Sequence, residues 1–126
     1  MASTIRSPDE LFGLLFRVSE PVGYATGEVI FEQGDRGDRM YVVRQGSVAL
    51  KEGDRVVETV GAPGLFGELA LIESDPRALT AVADTDVELV EIEVRQFWVL
   101  VHETPGFAHL VMSVMARRLR RTGVST

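Results

Sequence analysis

The chain has 126 residues, and its 45% apolar content is enough for one domain with a hydrophobic core. It has no cysteine, which excludes disulfides and thiolate chemistry, and its net charge of -6 argues against a general polyanion-binding surface. No apolar run approaches the roughly 20 residues that span a bilayer, and residues 1–6 lack the apolar stretch of a secretory signal, so we expect a cytoplasmic protein without membrane insertion.

The first predicted element is a helix over about 8–18. Ser7 suits the cap position, Pro8 suits the first helical position, and Glu10, three residues after the serine, completes a capping box. Apolar side chains then recur at helical spacing, namely Leu11, Leu14, Leu15 and Val18. We expect this helix to pack by one face.

From about 22 to 93 the pattern changes to short β-rich runs separated by glycine, aspartate and proline. The runs cover 29–31, 40–43, 48–50, 56–60, 79–83 and 87–92. Gly46 and Gly53 mark tight reversals between them. Many short strands with turn signals between them are typical of an antiparallel roll.

The C-terminal part of the chain predicts two helices, over about 94–102 and 106–121, separated near Pro105. In the second helix Phe107, Val111 and Val114 line one side. A neighbouring side carries Ala108, Met112, Met115 and Leu119, so the apolar arc is wider than a single-sided surface helix needs. Either both sides face the core, or one packs on the roll while the other covers something else.

Residues 65–71, followed by Arg77, have the chemistry of a pocket for a phosphate ester. Gly67 lets the backbone approach a ligand, and the turn after it can open as a helix whose amide hydrogens attract an anion. Arg77 can add a planar guanidinium against the same phosphate. Glu68 would repel a phosphate, so it should face a sugar hydroxyl instead. Anion, sugar and mostly apolar walls together describe a nucleotide.

Residues 66–71 (FGELAL) with 76–80 (PRALT) resemble the phosphate-binding cassette of the cyclic nucleotide-binding domain. That family includes regulatory subunits of cyclic-AMP-dependent protein kinase, nucleotide-gated channels and bacterial catabolite-activator-type regulators. A second resemblance precedes it in the family's order: 34–38 (GDRGD), the apolar run 40–43 and Gly46 are similar to the family's glycine-punctuated β-roll. The two together cover about 22–121.

The resemblance implies a mainly β fold with flanking α-helices, in one domain over 1–126. Its centre is an antiparallel β-roll, double-stranded and jelly-roll-like, at about 22–93. An N-terminal helix, a short phosphate-binding helix and two C-terminal helices complete it. The second apolar side of the last helix would then cover the ligand's base or the same helix of a second subunit.

The resemblance also implies a binding site in the cassette, 65–80. Its expected ligand-binding residues are Phe66, Gly67, Glu68, Leu69, Ala70, Arg77, Ala78, Leu79 and Thr80. The phosphate is expected on the amides of Gly67, Glu68 and Ala78 and on the side chain of Arg77, with the ribose 2′-hydroxyl on Glu68.

Ala78 bears on which nucleotide is bound. In the family, a hydroxyl-bearing residue directly after the cassette arginine favours cyclic GMP, so Ala78 favours cyclic AMP, with cyclic GMP possible. Leu79 stands where the family usually has alanine. Residues two apart in a strand share a face, so Leu79 is expected beside Arg77, where it would crowd the pocket.

The sequence offers little support for an enzyme. The only histidines, His102 and His109, lie in the helical part, whereas a metal-dependent cupin needs histidine and carboxylate ligands on its strands. No nucleophile or base is placed to act with Glu68. We expect a binding module with no metal.

Arg117, Arg118, Arg120 and Arg121 form a basic cluster that the helix dipole and solvent exposure explain. Five residues follow Arg121, too few for a helix-turn-helix, so we expect no direct DNA binding. Three interpretations remain. The chain is a stand-alone sensor acting through an unknown partner or a homodimer, an interaction scaffold that lost its ligand, or the sensor half of a transcription regulator without its DNA-binding module.

Overall fold

The computed structural model describes residues 8–121, with side chains from residue 9 onward. Its helices are α1 (Pro8–Leu15), α2 (Glu68–Glu73), α3 (Val94–Glu103) and α4 (Pro105–Arg121). Its strands are β1 (Val22–Tyr24), β2 (Val29–Phe31), β3 (Arg39–Gln45), β4 (Ser47–Glu52), β5 (Arg55–Gly61), β6 (Gly64–Phe66), β7 (Thr80–Ala83) and β8 (Val87–Glu93). The expected mainly β fold with flanking helices is confirmed.

Two four-stranded antiparallel sheets form the roll, in the orders β1-β8-β3-β6 and β2-β7-β4-β5. In the first sheet Val42 of β3 lies between Val90 and Leu65, and in the second Leu50 of β4 pairs with Ala81. Strands β1 and β6, of three residues each, were absent from the predicted runs.

Strand β3 is buried on both faces, which explains its unbroken apolar run. Met40 and Val42 pack against the helices, in a core that includes Phe107 of α4. Tyr41 and Val43 point the other way, into the space between the two sheets. The helices therefore cover one sheet of the roll, and α2 and α4 approach the same part of the molecule.

Helix α1 is shorter than predicted, while α3 ends one residue later and α4 begins one residue earlier than predicted. Helix α1 ends at Leu15 because the amides of Arg17 and Val18 donate to the carbonyls of Leu14 and Leu15, three residues earlier, in tight turns. The expected cap residue, Ser7, lies outside the described residues. Helix α4 begins at Pro105 itself, a position where a missing amide hydrogen costs nothing.

Within residues 8–121, no helix has the length and hydrophobicity needed to cross a membrane. The same residues contain no group of three or more histidine, cysteine, aspartate or glutamate side chains arranged to hold a metal ion. His102 and His109 are both exposed, on α3 and α4.

Candidate functional site

Gly67 forms the bend that leads from β6 into α2. Its φ of 83° lies in the left-handed region, and no side chain caps the helix there. A Cβ at this position would lie 2.9 Å from Nη1 of Arg77. Only glycine therefore gives both the backbone conformation and room for the arginine.

The glycine-rich loop at 34–37 holds the backbone around Arg77. The amide of Arg77 donates to the carbonyl of Asp35, and the amide of Gly34 donates to the carbonyl of Arg77, each over 2.8 Å. Gly37 lies so close to Ala70 that a Cβ would overlap the alanine side chain. The two sequence signatures are thus one structural unit: the loop fixes where the cassette arginine and α2 lie.

The guanidinium of Arg77 is buried, with the residue only 4% exposed. Nη1 donates to the carbonyl of Gly67 over 2.8 Å and Nη2 to the carbonyl of Arg39 over 2.5 Å, while the guanidinium lies 4.2 Å from the ring centre of Phe31. Nε is buried without a hydrogen-bond partner. Within residues 8–121 no carboxylate lies at ion-pair distance from Arg77. Burial lowers the pKa of Arg77 below its ordinary value.

Glu68, the first residue of α2, is 1% exposed and faces α4. Its Oε1 accepts a hydrogen bond from Nη1 of Arg118 over 2.5 Å. The same guanidinium bonds Glu58 of β5, from Nε to Oε1 over 2.9 Å and from Nη2 to Oε2 over 3.1 Å, and Nη2 also donates to the carbonyl of Leu65. Arg121 adds a contact of 3.1 Å to Oε2 of Glu58. Arg118 therefore ties α4 to both the cassette and β5.

The charges of this cluster reinforce one another. Burial raises the pKa of Glu58, but the hydrogen bonds and positive charge of Arg118, together with Arg121, outweigh it and hold the pKa below its ordinary value. Burial lowers the pKa of Arg118, yet Glu58 and Glu68 more than compensate, so the pKa of Arg118 lies above its ordinary value. Glu58 and Arg118 are accordingly both charged at neutral pH.

Several expected site residues shape the cassette rather than line an open surface. Phe66 is fully buried and stacks on Tyr41, with ring centres 5.1 Å apart, and Ala70 packs against the glycine loop. Leu69 and Ala78 are exposed beside them.

The strand alternation that predicted Leu79 beside Arg77 does not extend to these two residues. Strand β7 begins at Thr80, so Arg77 and Leu79 precede it and the alternation argument does not apply. Leu79 is half-buried against the core between the sheets, which includes Tyr41. The hydroxyl oxygen of Thr80 accepts a hydrogen bond of 3.0 Å from the backbone amide of Gln33.

Sequence reasoning missed Glu58 and Arg118 as candidate site residues. The interpretation of Arg118 as a solvent-exposed arginine was wrong, since its side chain is 15% exposed and faces inward. A signal was present: Arg118 follows Val111 by seven residues and Val114 by four, which places it on the buried side of α4. Nothing in the sequence around Glu58 indicates its role.

The second apolar side predicted for α4, which carries Met112, Met115 and Leu119, is buried at some positions and exposed at others. Met115 packs against the helix-side core, whereas Met112 and Leu119 are exposed. This side therefore covers no continuous part of the core.

A cavity of about 650 Å³ lies between α1, α4 and the β5–β6 segment. Its walls include Glu58, Thr59, Leu65, Val114 and Arg118. Arg118 is shared between this cavity and Glu68, so the cavity adjoins the cassette.

Comparison with known proteins agrees with this geometry. The family model of the cyclic nucleotide-binding domain matches residues 21–104. The cyclic AMP receptor protein of Thermus thermophilus is 35% identical over 102 residues, which cover 77% of this chain and 47% of that protein. The chain thus spans about half the length of the curated relatives it matches.

Solved structures share the fold. The catabolite activator protein of Thermus thermophilus superposes with a TM-score of 0.79 at 32% identity, covering 93% of this chain and 57% of that one. A structure from work on a cyclic-GMP-dependent signalling pathway in bacterial phytopathogenesis gives a TM-score of 0.78 at 28% identity. The match covers 94% of this chain and 98% of that one. The paired sheets, the cassette and the family match together show that this chain belongs to the cyclic nucleotide-binding domain family.

Proposed function

We propose that this chain is a cyclic nucleotide sensor, not an enzyme, and that it prefers cyclic AMP to cyclic GMP. The observation that carries the proposal is Arg77, a buried cation with an unpaired Nε and no carboxylate at ion-pair distance within residues 8–121. Burying a charge without a counterion is costly, so such a group marks a site where an anion is to be bound. A cyclic phosphate supplies that anion.

Different cassette residues bind different parts of the ligand. Arg77 holds the phosphate, with the amides of Gly67, Glu68 and Ala78 as further donors. Glu68 accepts a hydrogen bond from the ribose 2′-hydroxyl, since its carboxylate oxygens have free acceptor sites beside the bond from Arg118. Phe66, Leu69, Ala70, Leu79 and Thr80 complete the walls and supports of this part of the site.

The preference for cyclic AMP rests on Ala78. It is exposed at the edge of the cassette and carries no hydroxyl with which to bond the amino group of guanine. One relative is named a cyclic AMP receptor protein, and a structural neighbour comes from a cyclic-GMP-dependent pathway, so both ligands occur among similar proteins.

Helix α4 is the proposed output element. Glu68 is already bonded to Arg118, so a ribose that shares Glu68 alters the contacts that hold α4. A ligand shifts a conformational equilibrium only through such a difference in contacts. Met112 and Leu119 are exposed on α4, so a movement of this helix would alter their contacts with a partner protein or with a second copy of the chain. If the chain is the sensor half of a transcription regulator, the same change in the contacts of α4 would carry its signal.

Calorimetric titration tests the binding proposal. The parent protein should bind cyclic AMP more tightly than cyclic GMP, and both more tightly than non-cyclic 5′-AMP. Arg77→Ala should cost roughly 2–5 kcal/mol of binding free energy, because it leaves the phosphate without its buried partner. The matched control is Arg44→Ala, which removes an exposed arginine of β3 whose guanidinium forms an ion pair with Glu88 at the surface.

Two outcomes would contradict the proposal. The phosphate role is wrong if Arg77→Ala binds as well as the Arg44→Ala control while both give the parent's circular dichroism. A folded parent that binds neither cyclic nucleotide would instead support the interaction scaffold.

A further inference from the structure

We propose that Phe31 is a positioning residue for the phosphate: its ring holds the guanidinium of Arg77 by the face and leaves the edge of the guanidinium to the ligand. The inference rests on the proposed function, because it concerns how the phosphate-binding arginine is kept in place. It adds a residue outside the cassette, at the end of β2.

The ring of Phe31 lies against the charged group of Arg77. Cζ of Arg77 is over this ring, 4.2 Å from its centre, and 5.8 Å from the ring centre of Tyr41. A ring attracts a cation that lies over its face within about 6 Å, and more strongly where water is excluded. Arg77 is only 4% exposed, so the contact with Phe31 is made in such a place.

The ring of Phe31 is itself held by other rings. Its centre lies 5.7 Å from that of Tyr41 and 6.0 Å from that of Phe66, and those two rings stack on each other. Phe31 packs with them against the core between the two sheets. Close packing keeps the ring in one orientation, so it offers the guanidinium a rigid surface.

One short segment of the chain fixes both ends of Arg77. Phe31 is followed by a turn in which the amide of Asp35 donates to the carbonyl of Glu32 over 3.0 Å. The carbonyl of Asp35 in turn accepts from the backbone amide of Arg77 over 2.8 Å. The segment 31–35 therefore places the backbone of Arg77 with one end and its guanidinium with the other.

A ring suits an anion site better than a carboxylate would. The guanidinium has five N–H groups, all in its plane. The carbonyls of Gly67 and Arg39 accept from Nη1 and Nη2, while Nε is unpaired. A carboxylate would bind the remaining in-plane donors and compete with the phosphate. The ring of Phe31 attracts the cation through its face, so these donors stay available.

Holding the guanidinium before the ligand arrives should tighten binding. A long side chain that is ordered only on binding costs binding free energy, and a side chain already ordered does not. Without the ring, Arg77 would keep its two carbonyl hydrogen bonds but lose the support along one face of its plane. The phosphate would then meet the same donors in a less fixed orientation.

Phe31→Leu tests the inference by removing the ring while keeping an apolar side chain. In calorimetric titration the affinity for cyclic AMP should fall about fivefold, whereas Phe31→Tyr, which keeps the ring face, should bind like the parent. The control is Phe16→Leu, the same change at another partly buried phenylalanine, which pairs with Phe12 in the helix-side core. It should leave the affinity unchanged. If Phe31→Leu does not fold, Phe31→Met takes its place.

A second background separates positioning from general packing. Arg77→Lys keeps a positive charge but has no plane for the ring to hold. In this background the loss caused by Phe31→Leu should shrink to less than about twofold. A ring that only packs the cassette would weaken binding equally in both backgrounds, and that result would overturn the inference.

A measurement without ligand reports on the arginine directly. In NMR relaxation, the order parameter of the Arg77 Nε–H group should fall in Phe31→Leu and stay at the parent's value in Phe31→Tyr. Equal order parameters in the parent and Phe31→Leu would show that the ring does not hold the guanidinium.

The outcomes distinguish this inference from the proposed function. If the parent binds cyclic AMP and Arg77→Ala does not, but Phe31→Leu binds as tightly as Phe31→Tyr, then Phe31 does not position the arginine and the proposed function stands. If the parent binds no cyclic nucleotide, the proposed function is wrong and the inference falls with it.

Discussion

Arg118, close to the end of α4, donates a hydrogen bond over 2.5 Å to Glu68, the first residue of α2, although the two are 50 positions apart in the chain. Glu68 is buried and the side chain of Arg118 is nearly so. Arg118 compensates the burial of the Glu68 carboxylate, and Glu68 and Glu58 together compensate the burial of Arg118. This pair joins the expected ligand-binding residue to the expected output helix.

Replacing Arg118 by leucine should lower the free energy of unfolding by about 3–5 kcal/mol, because it leaves the carboxylate of Glu68 buried without its partner. Urea unfolding followed by circular dichroism measures the loss. Arg117→Leu, the same change at the exposed neighbour, should stay within about 0.5 kcal/mol of the parent. Equal effects of the two substitutions would show that the Arg118 contacts contribute little.

Glu58 should make stability depend on pH on the acid side. Its folded pKa lies below its ordinary value, so its stabilising contribution is present above the unfolded pKa and is lost as the pH falls through the folded one. The difference in unfolding free energy between the parent and Glu58→Gln should therefore stay constant from pH 7 to about pH 5 and shrink below the ordinary glutamate pKa of about 4.3. A difference that stays constant down to pH 3 would contradict the ion pair.

Gly37→Ala should disturb the cassette from outside it. The added methyl would overlap Ala70 and come within 2.9 Å of the carbonyl of Asp75, at a cost of about 1–3 kcal/mol in unfolding free energy. Gly23→Ala is the control, since nothing lies within 4 Å of a Cβ at that exposed strand position. Thermal unfolding of the two variants compares them, and an equal midpoint would show that α2 can shift without cost.

Ala78→Thr should move selectivity toward cyclic GMP. The new hydroxyl adds about one hydrogen bond to the purine, worth on the order of 0.5–1.5 kcal/mol. A competition titration of the two nucleotides against one fluorescent analogue measures the ratio, with Ala78→Val as a control of similar shape without the hydroxyl. The assignment of Ala78 is wrong if threonine and valine shift the ratio equally, or if the parent already favours cyclic GMP.

Cyclic AMP should slow hydrogen exchange in α4. Exchange of the amides at 106–121 should slow at saturating ligand, because the base and the shared Glu68 add contacts to this helix. The turn between β4 and β5, at 52–55, provides an internal reference that should not change. Unaltered exchange in α4 alongside measured binding would leave the helix as core packing and place the output elsewhere.

The sequence by itself determined the roll and its cassette, because both depend on local patterns. Alternating apolar residues, left-handed glycines and the nine-residue step from Glu68 to Arg77 are properties of neighbouring positions. They predicted the mainly β fold and the two C-terminal helices. The apolar stripe of Phe107, Val111 and Val114 was predicted for the same reason, and it packs on the core as expected.

Only the tertiary structure decided which residues lie around the cassette. Glu58 and Arg118 are 60 positions apart, and nothing near Glu58 in the sequence indicates that an arginine from α4 will bond it. The placement of Leu79 before β7, against the core between the sheets, depends likewise on where the strand begins and on what packs over it. Such contacts form when distant elements are brought together by core packing, so no local pattern specifies them.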